Sequence, residues 1–521
     1  MTTHDLYVLS PYLGVAGIAI LVILLDLVLK RKGLLPAFAL LGLLAPLALS
    51  LVQAFDLEDS VSLLRGADPL STSQASILLG SLSVDRFALF FNFLVLAAAG
   101  LVVLASTDYV KRMERFQGEY YGLILFSATG MMLLAAATEL ITIYIALELA
   151  TLPLAALIAF LMTSKSSEAG IKFLIIGAIS SAIMLYGMAL IFGFTGSTQL
   201  SEISASVAAT SGGLSSGNYA LLVGVILLLV GFGFKISSVP FQMWAPDVYE
   251  GAPTPVVAFL SVASKAAAFA ILLRVFYSGF FDVSLDWVTL IAAMAAASMV
   301  IGNLVAISQT NIKRLFGYSA IAHAGYLLVG VAAGVKASGP DSSFPEFLPV
   351  GPDSVLFYLV AYAAANLTAF FAIVAIGNRI GSDRIEDYAG VARRAPFLAI
   401  ALALALVALI GVPPTSIFIA KLYIFAAAVK ADLTWLAILG VVNSVVSAYY
   451  YVRIIRVMFL QPSGQPSGQP PGQPSGTEEK ISVPAASWGA LGIAGGVMLF
   501  IGIAPGYVLD LSQIAVKPLI P

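Results

Sequence analysis

The sequence contains no cysteine and only two histidines, His4 and His323. Without cysteine the chain forms no disulfide, ligates no iron–sulfur cluster through thiolates and performs no thiol catalysis. Two histidines also leave little for a zinc or haem site. The GxG at 231–233 follows no strand pattern and has Ile236 in place of a third glycine, which argues against dinucleotide binding. Any redox groups are therefore expected on other subunits.

Charge is scarce as well. Of the 521 residues only 10% are charged while 60% are hydrophobic, and the mean hydropathy is +0.99. Soluble globular proteins carry about 25% charged residues, so this chain cannot cover its apolar content with a water-facing surface. The composition predicts an all-α polytopic membrane protein. The formal net charge of −2 gives no indication of a nucleic-acid partner.

Apolar segments of about 20 residues are long enough to cross the ~30 Å of bilayer hydrocarbon as helices. Fourteen such spans are predicted, and no alternation typical of a membrane barrel competes with them. They cover residues 11–29, 34–54, 86–106, 120–137, 139–162, 170–194, 219–249, 254–277, 285–307, 312–335, 355–377, 396–429, 434–459 and 485–509.

The positively charged residues predict the orientation, because inner loops are enriched in Lys and Arg. With the N-terminus outside, 17 of the 26 Lys and Arg residues fall in inner loops and helix ends, and 6 fall on the outer side. Both termini are therefore predicted on the outer side of the membrane. The remaining three, Lys235, Lys265 and Lys421, lie inside spans.

Two spans are too long for straight membrane helices. Span 219–249 contains Pro240 and Pro246, and span 396–429 contains Pro413 and Pro414. Proline removes a backbone donor, so non-helical backbone is predicted near 235–239 and 413–416. Paired broken helices are typical of inverted-repeat transporters. Helices 4–8 and 9–13 are thus predicted to form two inverted repeats, with ordinary proline kinks as the alternative.

The resulting organisation has five parts. They are residues 1–106 (helices 1–3), 107–284 (first repeat), 285–460 (second repeat), 461–484 (a linker rich in Pro, Gly, Ser and Gln, on the cytoplasmic side) and 485–521 (helix 14).

Five ionisable residues lie deep inside predicted spans: Glu148, Lys235, Lys265, His323 and Lys421. A charge in mid-membrane costs several kcal/mol and is retained mainly along polar pathways. Nine residues into its span, Glu148 lies about 14 Å deep at ~1.5 Å per residue, and Lys265 and His323 lie at similar depth. A buried lysine loses its proton more readily than one in water. The five side chains are therefore candidates for proton transfer along the membrane plane.

Simpler interpretations remain open for some of these residues. Glu148 could form only a structural ion pair with a lysine, and His323 could be a core histidine satisfied by Ser319 and Tyr326. Asp26 and Glu139 lie near span ends, where they are expected to be paired or solvated, and are left out of the candidate site.

Several segments resemble subunit N of the proton-pumping NADH–quinone oxidoreductases, the family known as respiratory complex I. The resemblance extends over roughly residues 85–460. It is carried by Ala146–Pro153 (ALELATLP), Gly233–Pro255 (GFKISSVPFQMWAPDVYEGAPTP), Ser261–Lys265 (SVASK), Asn311–Tyr326 (NIKRLFGYSAIAHAGY) and Gly411–Tyr423 (GVPPTSIFIAKLY).

The resemblance implies a fourteen-helix, antiporter-like subunit of the membrane arm, in which Glu148, Lys235, Lys265, His323 and Lys421 conduct protons. NADH, FMN, iron–sulfur clusters and quinone would be bound by partner subunits. The expected partners are other antiporter-like and small membrane subunits and the lipid bilayer. One departure is Gln242, which stands where many relatives carry a histidine, so no proton relay is expected there.

Two related functions and one structural role are alternatives. Segment 247–253 also resembles the counterpart subunit of a photosynthetic, ferredoxin-linked complex I, and an Mrp-type cation/proton antiporter subunit would share the broken helices and buried lysines. A purely structural spacer in the membrane arm would leave the five buried ionisable groups unexplained.

Overall fold

The computed structural model describes residues 3–59, 75–77, 80–111, 113, 116–209, 219–337, 351–462 and 483–519. Nearly all of these residues are helical. The helices are α1 (Thr3–Val28), α2 (Leu35–Asp59), α3 (Arg86–Val110), α4 (Gln117–Ala136), α5 (Leu140–Ile158), α6 (Ser164–Thr195), α7 (Leu200–Ala208), α8 (Tyr219–Ile236), α9 (Trp244–Gly251), α10 (Thr254–Phe259), α11 (Lys265–Gly279), α12 (Ser284–Ala306), α13 (Ile312–Ala337), α14 (Pro352–Ile380), α15 (Val391–Arg394), α16 (Pro396–Ile410), α17 (Ser416–Lys430), α18 (Thr434–Leu460), α19 (Ala485–Ile503) and α20 (Gly506–Val516).

Each predicted span corresponds to a helix or to a consecutive group of helices. Among the described residues, 13 helices are long and apolar enough to cross a membrane. The remaining predicted span, 396–429, is divided into the shorter helices α16 and α17. The prediction of an all-α polytopic membrane protein is confirmed.

Two small elements were not anticipated by the sequence patterns. Strands β1 (Ala75–Ile77) and β2 (Leu82–Val84) form an antiparallel hairpin, and α7 follows α6 in the segment between the predicted spans 170–194 and 219–249. Single bridges join Leu82 to Ala137 and Glu139 to Gln199. These contacts tie the hairpin and the start of α7 to the junction between α4 and α5. The strands are too short to give a detectable alternation in the sequence.

The central helices are almost completely enclosed by protein. The segment Thr254–Gly279 combines α10, a π-helical turn and α11. In its most apolar stretch of 18 residues 94% of the residues are buried, and the same fraction is buried in α13 and in α14. Small residues allow this close packing, as is typical of membrane interiors. A Cβ atom at Gly325 of α13 would lie 2.7 Å from the backbone nitrogen of Met299 in α12. The candidate lysine and histidine of these helices are thereby held away from lipid.

The first predicted break lies between α8 and α9. Helix α8 ends at Ile236, and Ser237 has a left-handed backbone with φ of +56°. The backbone N–H of Ser238 donates to the oxygen of Gly233 (3.0 Å), and that of Val239 donates to the Ser298 hydroxyl (2.9 Å). Donors freed by the break are thus satisfied by protein, as a membrane interior requires.

The second predicted break separates α16 from α17. Helix α16 ends at Ile410, and Gly411 has a left-handed backbone with φ of +87°. The N–H of Thr415 donates to the oxygen of Val412 (3.0 Å) before α17 begins at Ser416. Both broken spans therefore have a left-handed residue directly after the last residue of their first half. This is a common way for a helix to end.

Proline alone does not produce these breaks. Helices α1, α2 and α5 contain Pro11, Pro46 and Pro153 and remain continuous. The breaks occur where several residues in succession leave the helical conformation. Most of the low-complexity linker, residues 463–482, lies outside the described residues.

Candidate functional site

The five candidate residues lie on five different helices. Glu148 is on α5, Lys235 on α8, Lys265 on α11, His323 on α13 and Lys421 on α17. The side chains of Lys265, His323 and Lys421 are buried, with relative exposures of 3%, 2% and 5%, while Glu148 and Lys235 are partly buried. We call these five residues the central line.

Glu148 and Lys235 bond to neighbouring hydroxyl groups and not directly to each other. The hydroxyl of Ser181 on α6 donates to Glu148 Oε1 at 2.6 Å, and Lys235 Nζ donates to the Thr151 hydroxyl. Thr151 is three residues after Glu148, so it lies one turn further along the same face of α5. A direct ion pair between Glu148 and Lys235 is therefore not formed, and their approach through a single water stays a prediction.

Lys265 follows a five-residue π-helical turn, Leu260–Ser264, that interrupts its span. Such turns are frequent at functional sites. Its Nζ donates to the backbone oxygens of Ala320 (2.7 Å) and Ile236 (3.2 Å) and lies 3.5 Å from the Ser237 hydroxyl. Lys265 thus joins the end of α8 to α13, at a point three residues before His323.

His323 is enclosed by tyrosines. Its Nδ1 lies 2.7 Å from the Tyr358 hydroxyl on α14, and its ring packs 4.9 Å from that of Tyr362 and 5.7 Å from that of Tyr326, measured between centroids. Ser319 pairs with the Tyr451 hydroxyl at 2.5 Å instead. The hydrogen-bond partner of the imidazole, Tyr358, is therefore on another helix, and is neither Ser319 nor Tyr326, which the sequence suggested.

Lys421 lies beside the second break. Its Nζ donates to the backbone oxygen of Ile410 at 2.8 Å and lies 4.6 Å from the centre of the Tyr326 ring. A cation over an aromatic face is stabilised by the ring quadrupole. Because Tyr326 also packs against His323, its ring contacts both the histidine and Lys421.

The two breaks share one electrostatic feature. Ile236 and Ile410 are the last residues of the half-helices α8 and α16, and each backbone oxygen accepts a hydrogen bond from a buried lysine, Lys265 and Lys421 respectively. The C-terminus of a helix carries partial negative charge and unpaired carbonyl groups. Each break therefore provides a site that favours an ammonium ion inside the membrane.

Sequence reasoning missed the hydroxyl partners Thr151, Ser181 and Tyr358. The spacing of Thr151 from Glu148 could have indicated it, since residues three apart share a helix face. Ser181 and Tyr358 gave no signal, because serines and tyrosines occur throughout these apolar helices.

A buried ion pair outside the central line was also missed. Arg274 on α11 forms two bonds of 2.9 Å to the carboxylate of Asp85, which caps the N-terminus of α3, and a third of 2.8 Å to the oxygen of Ala135 on α4. Asp85 is fully buried. The pair joins three helices at the end of the molecule opposite to Lys172 and Asp247.

The chemistry available to the central line is proton exchange. Carboxylate, amine, imidazole and hydroxyl groups all bind and release protons or relay hydrogen bonds. Within the described residues, no group of three or more His, Asp or Glu side chains is placed to hold a metal ion.

Known proteins are similar to this chain in sequence and in fold. Residues 137–447 match the family described as NADH:quinone oxidoreductase/Mrp antiporter, TM. NADH-quinone oxidoreductase subunit N of Dehalococcoides mccartyi is 44% identical, with 85% of this chain and 88% of the relative covered. That of Trichlorobacter lovleyi is 40% identical, with 99% and 98% covered. Among solved structures, a chain of respiratory complex I from Thermus thermophilus is 32% identical with a TM-score of 0.75, covering 96% of this chain and 98% of that one.

Proposed function

Because this chain belongs to the NADH:quinone oxidoreductase/Mrp antiporter family and is similar to its subunits N, we propose that its central line is the path of the translocated protons. The chain is an antiporter-like, proton-translocating membrane subunit of NADH-quinone oxidoreductase, respiratory complex I. The observation that carries the proposal is the placement of five ionisable side chains on five helices, three of them buried to 5% exposure or less.

The proposed route begins at Lys235 and passes through Lys265 and His323 to Lys421. Removal from water favours the neutral form of each amine, so each lysine binds a proton only while a nearby negative group stabilises the ammonium. For Lys265 and Lys421 that group is the carbonyl end of a half-helix. For Lys235 it is Glu148, whose carboxylate stabilises the ammonium more strongly the closer it lies.

Glu148 is proposed to control occupancy of the route. With its carboxylate bonded to Ser181, it lies apart from Lys235. A signal from the quinone end of the complex that brings Glu148 to Lys235 would favour proton uptake, and its return would favour release towards Lys265. The chemistry of NADH oxidation and quinone reduction, with its FMN and iron–sulfur clusters, is assigned to partner subunits.

Orientation and internal organisation complete the proposal. We place both termini on the outer side of a bacterial inner membrane, as the distribution of Lys and Arg indicates. Residues 107–284 and 285–460 are proposed as inverted repeats, supported by the left-handed residue and the lysine-bonded carbonyl that each break has. The linker 461–484 is then cytoplasmic.

The Mrp-type and ferredoxin-linked alternatives are not favoured. The relatives named above are NADH-quinone oxidoreductase subunits N and align over most of both chains. A purely structural spacer would not need buried lysines at both half-helix ends, since a buried charge costs several kcal/mol.

A lysine-to-methionine comparison tests the proposed route. Lys265→Met and Lys421→Met each keep most of the length of the unbranched side chain but remove the proton-binding amine, while Lys430→Met alters a partly exposed lysine in the last turn of α17. In assembled complexes in vesicles, protons pumped per electron should fall for the first two variants and stay at the wild-type value for Lys430→Met. Unchanged pumping in both buried variants would remove the route.

A further inference from the structure

Two cavities lie on either side of a pair of aromatic residues, Phe173 and Trp244. One, of about 170 Å³, is lined by the charged residues of α6, α9 and α13. The other, of about 20 Å³, adjoins Lys235 and has room for about one water molecule. Neither cavity has a role in the route proposed above.

The larger cavity, which we call the vestibule, is lined by charged side chains and opens to the surface. Asp247 on α9 accepts from Lys172 at 2.8 Å and from Arg314 at 2.6 Å, and Glu250 accepts from Arg314 at 3.1 Å. The Lys165 side chain, 3.6 Å from Glu250, is 79% exposed. In the proposed orientation the vestibule faces the inner, cytoplasmic side and fills with water.

The smaller cavity is more enclosed than the vestibule and mainly apolar. Its polar lining includes Lys235, Thr151 and Ser264, and the remainder is formed by aliphatic, methionine and aromatic side chains. A single water molecule there would have the ammonium and the Thr151 hydroxyl as partners, and an ordered buried water needs two to four.

An aromatic wall separates the two cavities. Phe173 and Trp244 both line the smaller cavity and pack edge to face with ring centroids 5.0 Å apart. One turn from each, towards the vestibule, stand Ala169 and Asp247, which line the vestibule. Lys235 Nζ lies 5.9 Å from the centre of the Phe173 ring, on the far side of the wall.

The wall is fastened to the first break. Trp244 is the first residue of α9, and its indole N–H donates to the oxygen of Phe234, the residue before Lys235, at 2.9 Å. Asp247 and Glu250 hold the same helix to α6 and α13 through the ion pairs of the vestibule. A displacement of α9 would therefore move the tryptophan and strain these ion pairs together.

We infer that Phe173 and Trp244 form a gate between the water of the vestibule and Lys235. The inference rests on the proposed role of Lys235. The gate keeps water from the lysine until α9 moves, because two packed aromatic rings leave no polar path across the wall. Asp247 and Glu250 act as positioning residues for the gate.

Cysteine accessibility tests the gate without reference to pumping. Ala268 lines the smaller cavity, so Ala268→Cys places the chain's single thiol on the Lys235 side of the aromatic wall. Inside-out vesicles carrying the whole complex are treated with a small, permanently charged methanethiosulfonate reagent. We expect slow labelling of this chain in Ala268→Cys and labelling several-fold faster in Ala268→Cys/Phe173→Ala.

The chain offers a matched control for this experiment. Phe276 packs against Trp287 with the same centroid separation of 5.0 Å and an interplanar angle of 62°, compared with 64° for the gate. Labelling in Ala268→Cys/Phe276→Ala should remain slow. Equal acceleration by both phenylalanine variants, or fast labelling of Ala268→Cys alone, would overturn the gate. Phe173→Leu serves as the milder variant if the alanine variant fails to assemble.

A leak measurement separates this inference from the proposed function. With no NADH present, vesicles with Phe173→Ala should lose an imposed pH gradient faster than wild-type vesicles, and adding Lys235→Met should restore the slow loss. Fast labelling of Ala268→Cys/Phe173→Ala, together with an unchanged loss of the pH gradient in Phe173→Ala, would support the gate and count against Lys235 as a proton carrier. Slow labelling of Ala268→Cys/Phe173→Ala would count against the gate whatever the pumping result.

Discussion

At the scale of single residues, Gly411 makes room for Lys421 at the second break. Its backbone is left-handed, with φ of +87°, and a Cβ atom there would lie 3.1 Å from Cδ of Lys421. The glycine therefore allows the helix to end and leaves space for the stem of the lysine that bonds to Ile410.

Gly411→Ala is expected to lower both stability and pumping. The left-handed backbone costs an alanine about 1 kcal/mol, and the methyl group pushes Lys421 from its carbonyl partner. Gly381→Ala is the control, because Gly381 ends α14 with φ of +73° and has open space around it. Thermal unfolding should show similar destabilisation, while protons per electron should fall only for Gly411→Ala. Equal pumping in both variants would contradict the proposed contact.

The buried pair of Arg274 and Asp85 is a second feature at this scale. Arg274→Met leaves an unpaired carboxylate in the interior, and removing one partner of a buried ion pair costs about 3–5 kcal/mol. We expect a marked fall in the melting temperature of the complex, and partial recovery in Arg274→Met/Asp85→Asn. The Asp85→Asn side chain keeps an oxygen that caps α3. No recovery in the double variant would mean that packing of the arginine, and not its charge, is responsible.

Residue patterns predicted the five members of the central line but not their partners. A lysine inside an apolar span indicates a functional residue, because its charge is costly where water is absent. Ser181 and Tyr358 are ordinary in composition and gain their roles only when α6 and α14 come beside Glu148 and His323. Glu148 and Lys235 were predicted to approach within salt-bridge or one-water distance. The direct contact is not formed, since equal depth does not fix separation, and the approach through one water stays a prediction.

At the scale of elements, the positions of both broken helices followed from excess length together with proline. The reason that α1, α2 and α5 tolerate proline is not apparent in the sequence. The π-helical turn before Lys265 was not predicted either. A one-residue widening of a helix leaves the apolar pattern almost unchanged, so sequence periodicity does not detect it.

Helix α9 depends on close contact with α6. A Cβ atom at Gly251 would lie 2.7 Å from Cβ of Ala169 and 2.7 Å from the backbone oxygen of Lys165. Gly251→Ala should therefore displace α9, weaken the ion pairs of Asp247 and lower the melting temperature of the complex. The control is Gly193→Ala in α6, where the added methyl group meets nothing within 4 Å. That change should leave stability unchanged or raise it, since alanine favours helix by up to about 1 kcal/mol.

At the scale of the whole molecule, the two ends have different contacts. Lys172, Asp247, Arg314 and the bridge between Asn311 and Arg384 lie at one end, which is proposed to face the cytoplasm. The hairpin, the start of α7 and the Asp85–Arg274 pair lie at the other. The segments that share an end agree with the helix order, because each span, whether continuous or broken, leads from one side of the membrane to the other.

The orientation is tested with two exposed serines. Ser308 lies after α12 at the end proposed to be inner, and Ser201 lies in α7 at the end proposed to be outer. Ser308→Cys should react with an impermeant thiol reagent in inside-out vesicles and Ser201→Cys in right-side-out cells. The chain has no native cysteine to interfere. The reverse pattern would invert the topology, together with the assignment of the vestibule.

The most direct test of the account measures protons pumped per electron in a double-variant cycle at Glu148 and Lys235. Glu148→Gln keeps the bond to Ser181 but removes the charge, and Lys235→Met removes the amine; Glu139→Gln, near the start of α5, is the control. Because the two groups are proposed to act as one unit, each single variant should lower the ratio in assembled complexes, Lys235→Met more severely. The double variant should resemble Lys235→Met alone. Wild-type ratios in both single variants would contradict the account.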